Sequence, residues 1–217
     1  MIDVLPPISR IKVIDDNPDV RQDIALQVEL LNRSVVEETG PLGSLDDYLS
    51  RPQNADAAIS DHQLKPSGYA SFDGADLVAS WYRVGFPAIL CTSYERASVD
   101  RLRSLRRWLP VVLGPNDLDP DGLLEGIRLV QREIHGRFTP QRKPRRALIR
   151  FTEYLPDTNV ILAKVPGWSA EAVDIRVIEL PEQWRTDPRR LEGRRVFATA
   201  NLEAQRFEDL YVTGWNS

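Results

Sequence analysis

The sequence predicts an α/β domain followed by a smaller, mostly antiparallel β domain, and three observations support this. Residues 1–136 alternate short apolar runs with longer amphipathic stretches, the pattern of βα units around a doubly wound parallel sheet. Residues 137–146 hold two prolines and five basic side chains and predict a linker. In residues 147–217, β-branched and aromatic residues alternate with polar ones between turn residues.

The first domain contains five apolar runs of the length of buried parallel strands. They are IKVI (11–14), SVVEE (34–38), DAAIS (56–60), PAILC (87–91) and PVVL (110–113). The amphipathic stretches that follow them predict five helices, at residues 19–31, 44–51, 74–84, 95–108 and 119–134. Strict alternation of strand and helix favours a five-stranded parallel sheet with helices on both faces.

The second domain contains about five candidate strands, separated by turns such as Pro156-Asp157 and Pro166-Gly167. They span residues 147–155, 159–165, 172–180, 194–204 and 209–215. Residues 181–193 predict an irregular or partly helical excursion. A compact antiparallel arrangement follows, of which a small barrel is one form.

Composition excludes several classes of protein. The chain has 217 residues, of which 42% are hydrophobic and 28% are charged, so it is not of the disordered class. No run approaches the roughly 18 apolar residues of a membrane span, and no secretion signal is evident at the N-terminus. The single cysteine, Cys91, lies in an apolar run. We therefore expect a cytoplasmic protein without membrane contact, in a reducing compartment.

Polar residues follow the candidate strands where each strand ends. Asp15 and Asp16 follow the first strand, Asp61 follows the third, and Thr92 and Ser93 follow the fourth. In a doubly wound sheet, ligands gather beyond the carboxyl ends of the strands. Three carboxylates in one crevice would repel one another, and hard oxygen ligands suit Mg²⁺. The alternatives are a polar cluster without an ion, a metal site without phosphorylation, and a phosphoacceptor site.

At these residues the chain resembles the receiver domain of bacterial two-component response regulators. The resemblance rests on four motifs at four successive strand ends and covers residues 8–136. The motifs are IDDNPDVR, ISDHQL, LCTSY and VVLGPNDLD. It implies a flavodoxin-like sheet with the strand order 2-1-3-4-5, a cytoplasmic signalling role, and no enzyme activity beyond self-phosphorylation and autodephosphorylation at one aspartate.

The resemblance also implies roles for individual residues. Asp61 would be the phosphoacceptor, attacking the phosphoryl group of a histidine kinase's phosphohistidine. Asp16 would bind Mg²⁺ directly, Asp15 would act through water, and Asp61 and the Gln63 backbone carbonyl would complete the protein ligands. Thr92 would be the switch hydroxyl, bonding a phosphoryl oxygen. Catalysis of such a transfer depends mainly on positioning the reacting groups and on neutralising the charge of the phosphoryl oxygen atoms.

Three features depart from the family pattern. Gly114 stands where the family has a lysine, Val111 replaces a nearby aromatic residue, and the loop after Asp61 is about five residues longer. Two hypotheses follow: a phosphorylation-controlled regulator with a β-rich binding domain, and a non-switching adaptor that docks partner proteins. A Mg²⁺-dependent phosphohydrolase is a third, because it would also use an aspartate nucleophile.

Other residues have plainer interpretations. We expect His62 to be a solvated loop histidine and Lys65 to be a surface residue rather than a substitute for the missing lysine. The basic stretch 141–146 favours a solvated linker over a phosphate-contacting arm, because residues 139–217 carry 13 basic and 11 acidic side chains. A kinase or other protein is therefore the expected partner, with a homodimer as a further option and nucleic acid less favoured.

Overall fold

The computed structural model describes residues 5–92 and 96–216, and Ser93 lies outside the described residues. Within these residues the chain forms ten strands and six α-helices, divided between two compact units. The first unit comprises residues 1–98 and 108–137, and the second comprises residues 99–107 and 138–217. No helix in the described part of the chain is long and apolar enough to cross a membrane.

The first sheet is built from five parallel strands. They are β1 (Arg10–Ile14), β2 (Ser34–Glu38), β3 (Ala57–Asp61), β4 (Ala88–Cys91) and β5 (Val112–Leu113). Their order is β2-β1-β3-β4-β5. All neighbouring pairs are parallel, as in the flavodoxin-like sheet implied by the sequence, so the predicted fold class is confirmed.

The helices follow the strands in strict alternation. They are α1 (Pro18–Leu30), α2 (Leu45–Ser50), α3 (Gly74–Arg83), α4 (Arg96–Leu105) and α5 (Pro120–Ile134). Local signals set where they begin: Asn17 caps α1 by accepting from Asp19 N at 3.0 Å, and Asp119 caps α5 by accepting from Gly122 N at 2.7 Å. A proline occupies the first position of both helices.

Alternation along β1 explains why helices cover both faces of the sheet. Ile11 and Val13 pack against apolar residues of α1 and α5 in one cluster. Lys12 points to the other face, where its Nζ lies 3.3 Å from the Tyr48 hydroxyl of α2. On that face the Tyr48 ring lies 6.1 Å from the ring of Trp81 of α3, measured between centroids. The two faces of the sheet therefore have separate cores.

The second unit contains an antiparallel sheet. Its strands are β6 (Arg145–Leu155), β7 (Val160–Lys164), β8 (Ala172–Arg176), β9 (Arg195–Ala200) and β10 (Val212–Asn216). Their order is β10-β9-β6-β7-β8. No described strand pairing joins the two edge strands, β8 and β10, so the sheet is open rather than a closed barrel. The predicted mostly antiparallel β domain is confirmed.

One face of this sheet holds the core of the second unit. Phe151 is its largest fully buried side chain. The Phe151 ring stacks on Trp215 with centroids 5.7 Å apart, and Trp184 packs edge-on against both rings. Trp184 belongs to α6 (Glu182–Arg185), within the stretch predicted to be partly helical. Phe151, Trp184 and Trp215 therefore serve packing in this core.

The predicted linker is more ordered than the sequence indicated. Strand β6 already begins at Arg145. Arg142 is buried, and its guanidinium donates to the carbonyl oxygens of Arg106 and Arg107 at 2.9 Å and 3.0 Å, all within the second unit. The interpretation of the 141–146 stretch as fully solvated is thus wrong at Arg142. Backbone acceptors at the end of a neighbouring helix compensate the desolvation of its charge.

Candidate functional site

The carboxyl ends of β1, β3 and β4 surround one cavity of about 340 Å³. Its polar lining is formed by Asp15, Asp16, Asp61, Gln63 and Thr92. The structure thus brings together Asp15, Asp16, Asp61 and Thr92, which the sequence placed at separate strand ends. Apolar side chains complete the wall: Val20, Ile24, Pro66, Cys91, Pro115 and Leu118.

Asp15 is held rigidly at the end of β1. It is 5% exposed, and its Oδ1 accepts from Asn17 N at 2.9 Å. Its carbonyl oxygen accepts from Arg21 Nη1 at 2.7 Å. Arg21 is itself buried on α1, and its Nε lies 3.4 Å from Glu37 Oε2. Arg21 is the arginine of the IDDNPDVR motif, and the structure assigns it the positioning of the Asp15 backbone.

Burial raises the pKa of Asp15 to about 6. The hydrogen bond from Asn17 N opposes this effect, whereas the nearby carboxylates of Asp61 and Asp16 raise the pKa further. Desolvation and like charge both disfavour the ionised carboxylate. A cation in the cavity would reverse both effects, so the electrostatics of the site favour a positively charged ligand.

Asp61 is the last residue of β3, and its carboxylate is fixed by the loop that follows. Its Oδ2 accepts from Gln63 N at 2.6 Å. Burial raises the pKa of Asp61, backbone hydrogen bonds from Gln63 and His62 lower it, and the charge of Asp16 raises it again. The net direction is upward, as for Asp15.

Thr92 directly follows β4 and is 5% exposed. Its backbone N donates to the carbonyl oxygen of Leu113 at 3.0 Å, which ties it to the end of β5. Its side chain lines the cavity that Asp61 also lines. A hydroxyl in this position has the chemistry to donate a hydrogen bond to an anionic group held on Asp61.

The long loop after Asp61 is held by hydrogen bonds to the loop after β2. Leu42 N donates to the Tyr69 carbonyl at 2.7 Å, and Ser71 N donates to the Gly43 carbonyl at 3.0 Å. The Tyr69 hydroxyl donates to the Glu38 carbonyl. Burial raises the pKa of Tyr69 above its usual range, so the phenol stays protonated. The loop after Asp61 is therefore fixed to the rest of the first unit at Tyr69 and Ser71.

Two expectations for this loop had different outcomes. His62 is 5% exposed, and its backbone N donates to the Cys91 carbonyl at 3.1 Å. The prediction of a solvated histidine is therefore wrong, because backbone pairing with the end of β4 draws residue 62 into the sheet. Lys65 is a surface residue, as predicted, and its Nζ lies 2.9 Å from Asp73 Oδ2.

The positions that depart from the family pattern also have defined surroundings. Gly114 follows β5, and its N donates to Asp117 Oδ2 at 3.2 Å. Val111 is buried and faces α5, where a β-carbon on Gly126 would lie 3.2 Å from its Cγ1. Among the described residues that line the cavity, none is a lysine or an arginine.

The donor set fits Mg²⁺ by its chemistry. Within the described residues, no group of three or more His, Cys, Asp or Glu side chains is arranged to hold a metal ion. Mg²⁺ is nevertheless commonly bound through one or two carboxylates with several waters retained, rather than in an all-protein cage. Asp16, Asp61 and Gln63 line the cavity, and their oxygen atoms would supply ligands of that kind.

No protein-family model matches the chain, and no curated protein matches it. Solved structures resemble about 60% of the chain, and several of them are response regulator receiver domains. One from Methanospirillum hungatei JF-1 is 19% identical, covers 60% of this chain and 98% of its own, and has a TM-score of 0.44. One from Clostridium thermocellum is 16% identical, covers 58% of this chain and 95% of its own, and also has a TM-score of 0.44.

Proposed function

We propose that the chain is an atypical response regulator whose Mg²⁺-binding receiver accepts a phosphoryl group on Asp61 and controls a β-rich binding domain. The observation that carries the proposal is the shared cavity at the strand ends, lined by Asp15, Asp16, Asp61 and Thr92. The strand order of the first sheet agrees with it.

The proposed reaction uses the Asp61 carboxylate as nucleophile. A carboxylate oxygen attacks the phosphorus of a kinase phosphohistidine, the phosphorus–nitrogen bond breaks, and an acyl phosphate forms on Asp61 while the imidazole leaves. Bound Mg²⁺ would neutralise oxygen charge during transfer. Gln63 N, at 2.6 Å from Oδ2, fixes the orientation of the attacking carboxylate. Thr92 would bond a transferred phosphoryl oxygen.

Partner proteins follow from this proposal. A histidine kinase or another phosphoryl donor would bind at the open end of the cavity, and a homodimer is a further assembly. Beyond self-phosphorylation and autodephosphorylation at Asp61, the proposal includes no enzyme activity. A phosphohydrolase remains the weakest candidate, because the aspartates do not form the expected Asp-x-Asp pair.

The adaptor hypothesis has one specific observation in its favour. No lysine or arginine lines the described part of the cavity, and Val111 is buried where the family has an aromatic residue. A phosphoryl group on Asp61 would lack a cationic side chain beside it. It would also lack an aromatic residue at position 111 that responds to it. In that case the first domain would dock partners without switching.

Phosphorylation of the full chain tests the proposal. The protein is incubated with acetyl phosphate and Mg²⁺, and its intact mass is measured. We expect one added phosphoryl group in the wild type, none in Asp61→Asn, and none when a chelator removes the metal. Asp73→Asn is the matched control, because Asp73 lies in the same loop but does not line the cavity. An unmodified wild type would favour the adaptor.

A further inference from the structure

The outer face of the second sheet carries three cations in one row. Arg150 of β6 lies directly opposite Arg195 of β9 on one side and opposite Lys164 of β7 on the other. Residues directly opposite each other project from the same face of a sheet. All three side chains are exposed. The row crosses three neighbouring strands and therefore spans about 10 Å.

Within the described residues, these three cations have no side-chain partner. No ion pair or hydrogen bond joins Arg150, Lys164 or Arg195 to another side chain in the described part of the chain. Strands β6, β7 and β9 hold a single acidic residue, Glu153, which lies beyond the bulge in β6. Like charges directly opposite each other destabilise a sheet. The row is therefore an arrangement that an external polyanion would stabilise.

An aromatic platform adjoins the row on the same face. Phe197 of β9 lies opposite Leu148 of β6, and the two side chains are 39% and 38% exposed. The Arg146 guanidinium lies over the Phe197 ring, 3.6 Å from its centroid. Bases of single-stranded nucleic acids stack on aromatic rings and on arginine guanidinium planes. The cationic row and the Arg146–Phe197 pair thus lie side by side on this face.

We propose that this basic sheet face, formed by Arg146, Leu148, Arg150, Lys164, Arg195 and Phe197, binds single-stranded nucleic acid. Successive phosphates contact the cationic row, and an unpaired base stacks on the Arg146–Phe197 pair. An acidic peptide matches the charges but offers no base to stack. A duplex keeps its bases paired and needs an element that enters a groove, which an open sheet face does not provide.

The near balance of basic and acidic residues in this domain argued against nucleic acid when only the sequence was considered. The fold nevertheless concentrates positive charge on one face, because the three central strands carry five of the thirteen basic residues and only one acidic residue, Glu153. The inference gives a ligand to the binding domain of the proposed function. It does not depend on phosphorylation of Asp61.

The test measures binding of fluorescently labelled oligouridylate of about 20 nucleotides to the full chain by anisotropy, at several salt concentrations. The variant Arg150→Gln/Lys164→Gln/Arg195→Gln removes the row. The control Arg128→Gln/Arg132→Gln/Arg189→Gln removes the same charge from exposed positions elsewhere. We expect at least about ten-fold weaker binding for the first variant and a salt slope reduced by about 2, with little change in the control.

The platform is tested with Phe197→Leu, which should weaken oligouridylate binding about five-fold without changing the salt slope. Thermal unfolding of each variant verifies the fold. An equal loss of oligouridylate affinity in both triple variants would overturn the proposal. So would the absence of oligouridylate binding by the wild type at low salt. Equal or tighter binding of a duplex or of polyglutamate would also overturn it. Asp61→Asn should bind oligouridylate like the wild type, which separates this inference from the phosphorylation proposal.

Discussion

Gly74, the first residue of α3, packs directly on the backbone of Asp61. A β-carbon on Gly74 would lie 1.7 Å from the Asp61 carbonyl oxygen and 2.7 Å from the Ser60 hydroxyl oxygen. Gly74 N also donates to the His62 carbonyl at 2.9 Å. The start of α3 therefore fixes the end of β3, and with it the candidate phosphoacceptor. Only glycine fits at this contact.

We predict that Gly74→Ala destabilises the protein by about 3 kcal/mol, because backbone must move to admit the methyl group. It should also weaken Mg²⁺ binding, since Asp61 moves with its backbone. Chemical denaturation and calorimetry measure the two effects. Gly114→Ala is the control: its β-carbon would lie 3.4 Å from Asp117 Oδ2, an ordinary contact. Equal stability of the two variants would contradict the packing argument.

Magnesium should bind the first domain through Asp16 and Asp61. Isothermal titration of the full chain with MgCl₂ is expected to show one site, weakened about ten-fold or more by Asp16→Asn. Asp19→Asn is the matched control, because Asp19 is exposed on α1 and does not line the cavity. Absence of binding at millimolar metal, or the same affinity in both variants, would leave a polar cluster without an ion.

Asp15 should make the stability of the metal-free protein depend on pH. Its pKa is raised from 3.8 to about 6 in the folded state. The protonated carboxyl therefore favours folding, and this contribution is fully present below about pH 4 and is lost as the pH rises through about 6. A pKa that is about 2 units higher in the folded state changes the free energy of unfolding by about 3 kcal/mol at most.

Asp15→Asn isolates this effect, because the amide oxygen can still accept from Asn17 N. In the presence of a chelator, the variant should be more stable than the wild type at neutral pH. The difference should shrink as the pH falls toward about 4. Added Mg²⁺ should stabilise the wild type more than the variant. A stability difference that does not vary with pH would show that Asp15 keeps an ordinary pKa.

Under the adaptor alternative, beryllofluoride, a phosphoryl mimic, should bind weakly and change little beyond Thr92 and residues 62–72. The reason is that no cation in the described lining offsets its charge, and uncompensated repulsion in a partly buried site costs on the order of a few kcal/mol. Gly114→Lys should tighten binding. Hydrogen exchange with and without the mimic measures the response. Strong protection across residues 93–118 in the wild type would show switching without the lysine.

Local patterns determined much of the fold. Strand β2 occupies the predicted residues 34–38, and α5 begins one residue after the predicted start. Alternation of apolar runs and amphipathic stretches is a local property, so it could be read from the sequence. The site was predictable for the same reason. Carboxyl ends of parallel strands share one edge, and this brought Asp15, Asp61 and Thr92 to one cavity.

Strand ends were less predictable. Strand β5 is limited to Val112–Leu113, although the apolar run begins at Pro110, whose N cannot donate to a neighbouring strand. Strand β8 ends at Arg176, and residues 177–179 form a 3₁₀ turn in place of the predicted extension. In both cases hydrogen-bond partners, rather than side-chain hydrophobicity, set the boundary.

Only the tertiary structure decided which polar residues are buried and which charges meet. His62 and Arg142 are buried because distant backbone groups bond to them, at Cys91 in one case and at Arg106 and Arg107 in the other. The sequence showed a nearly balanced second domain. Pairing of β6 with β9 and β7 set Arg150 between Arg195 and Lys164. Register depends on which face of each strand is apolar across the whole sheet, so no local window of sequence contains it.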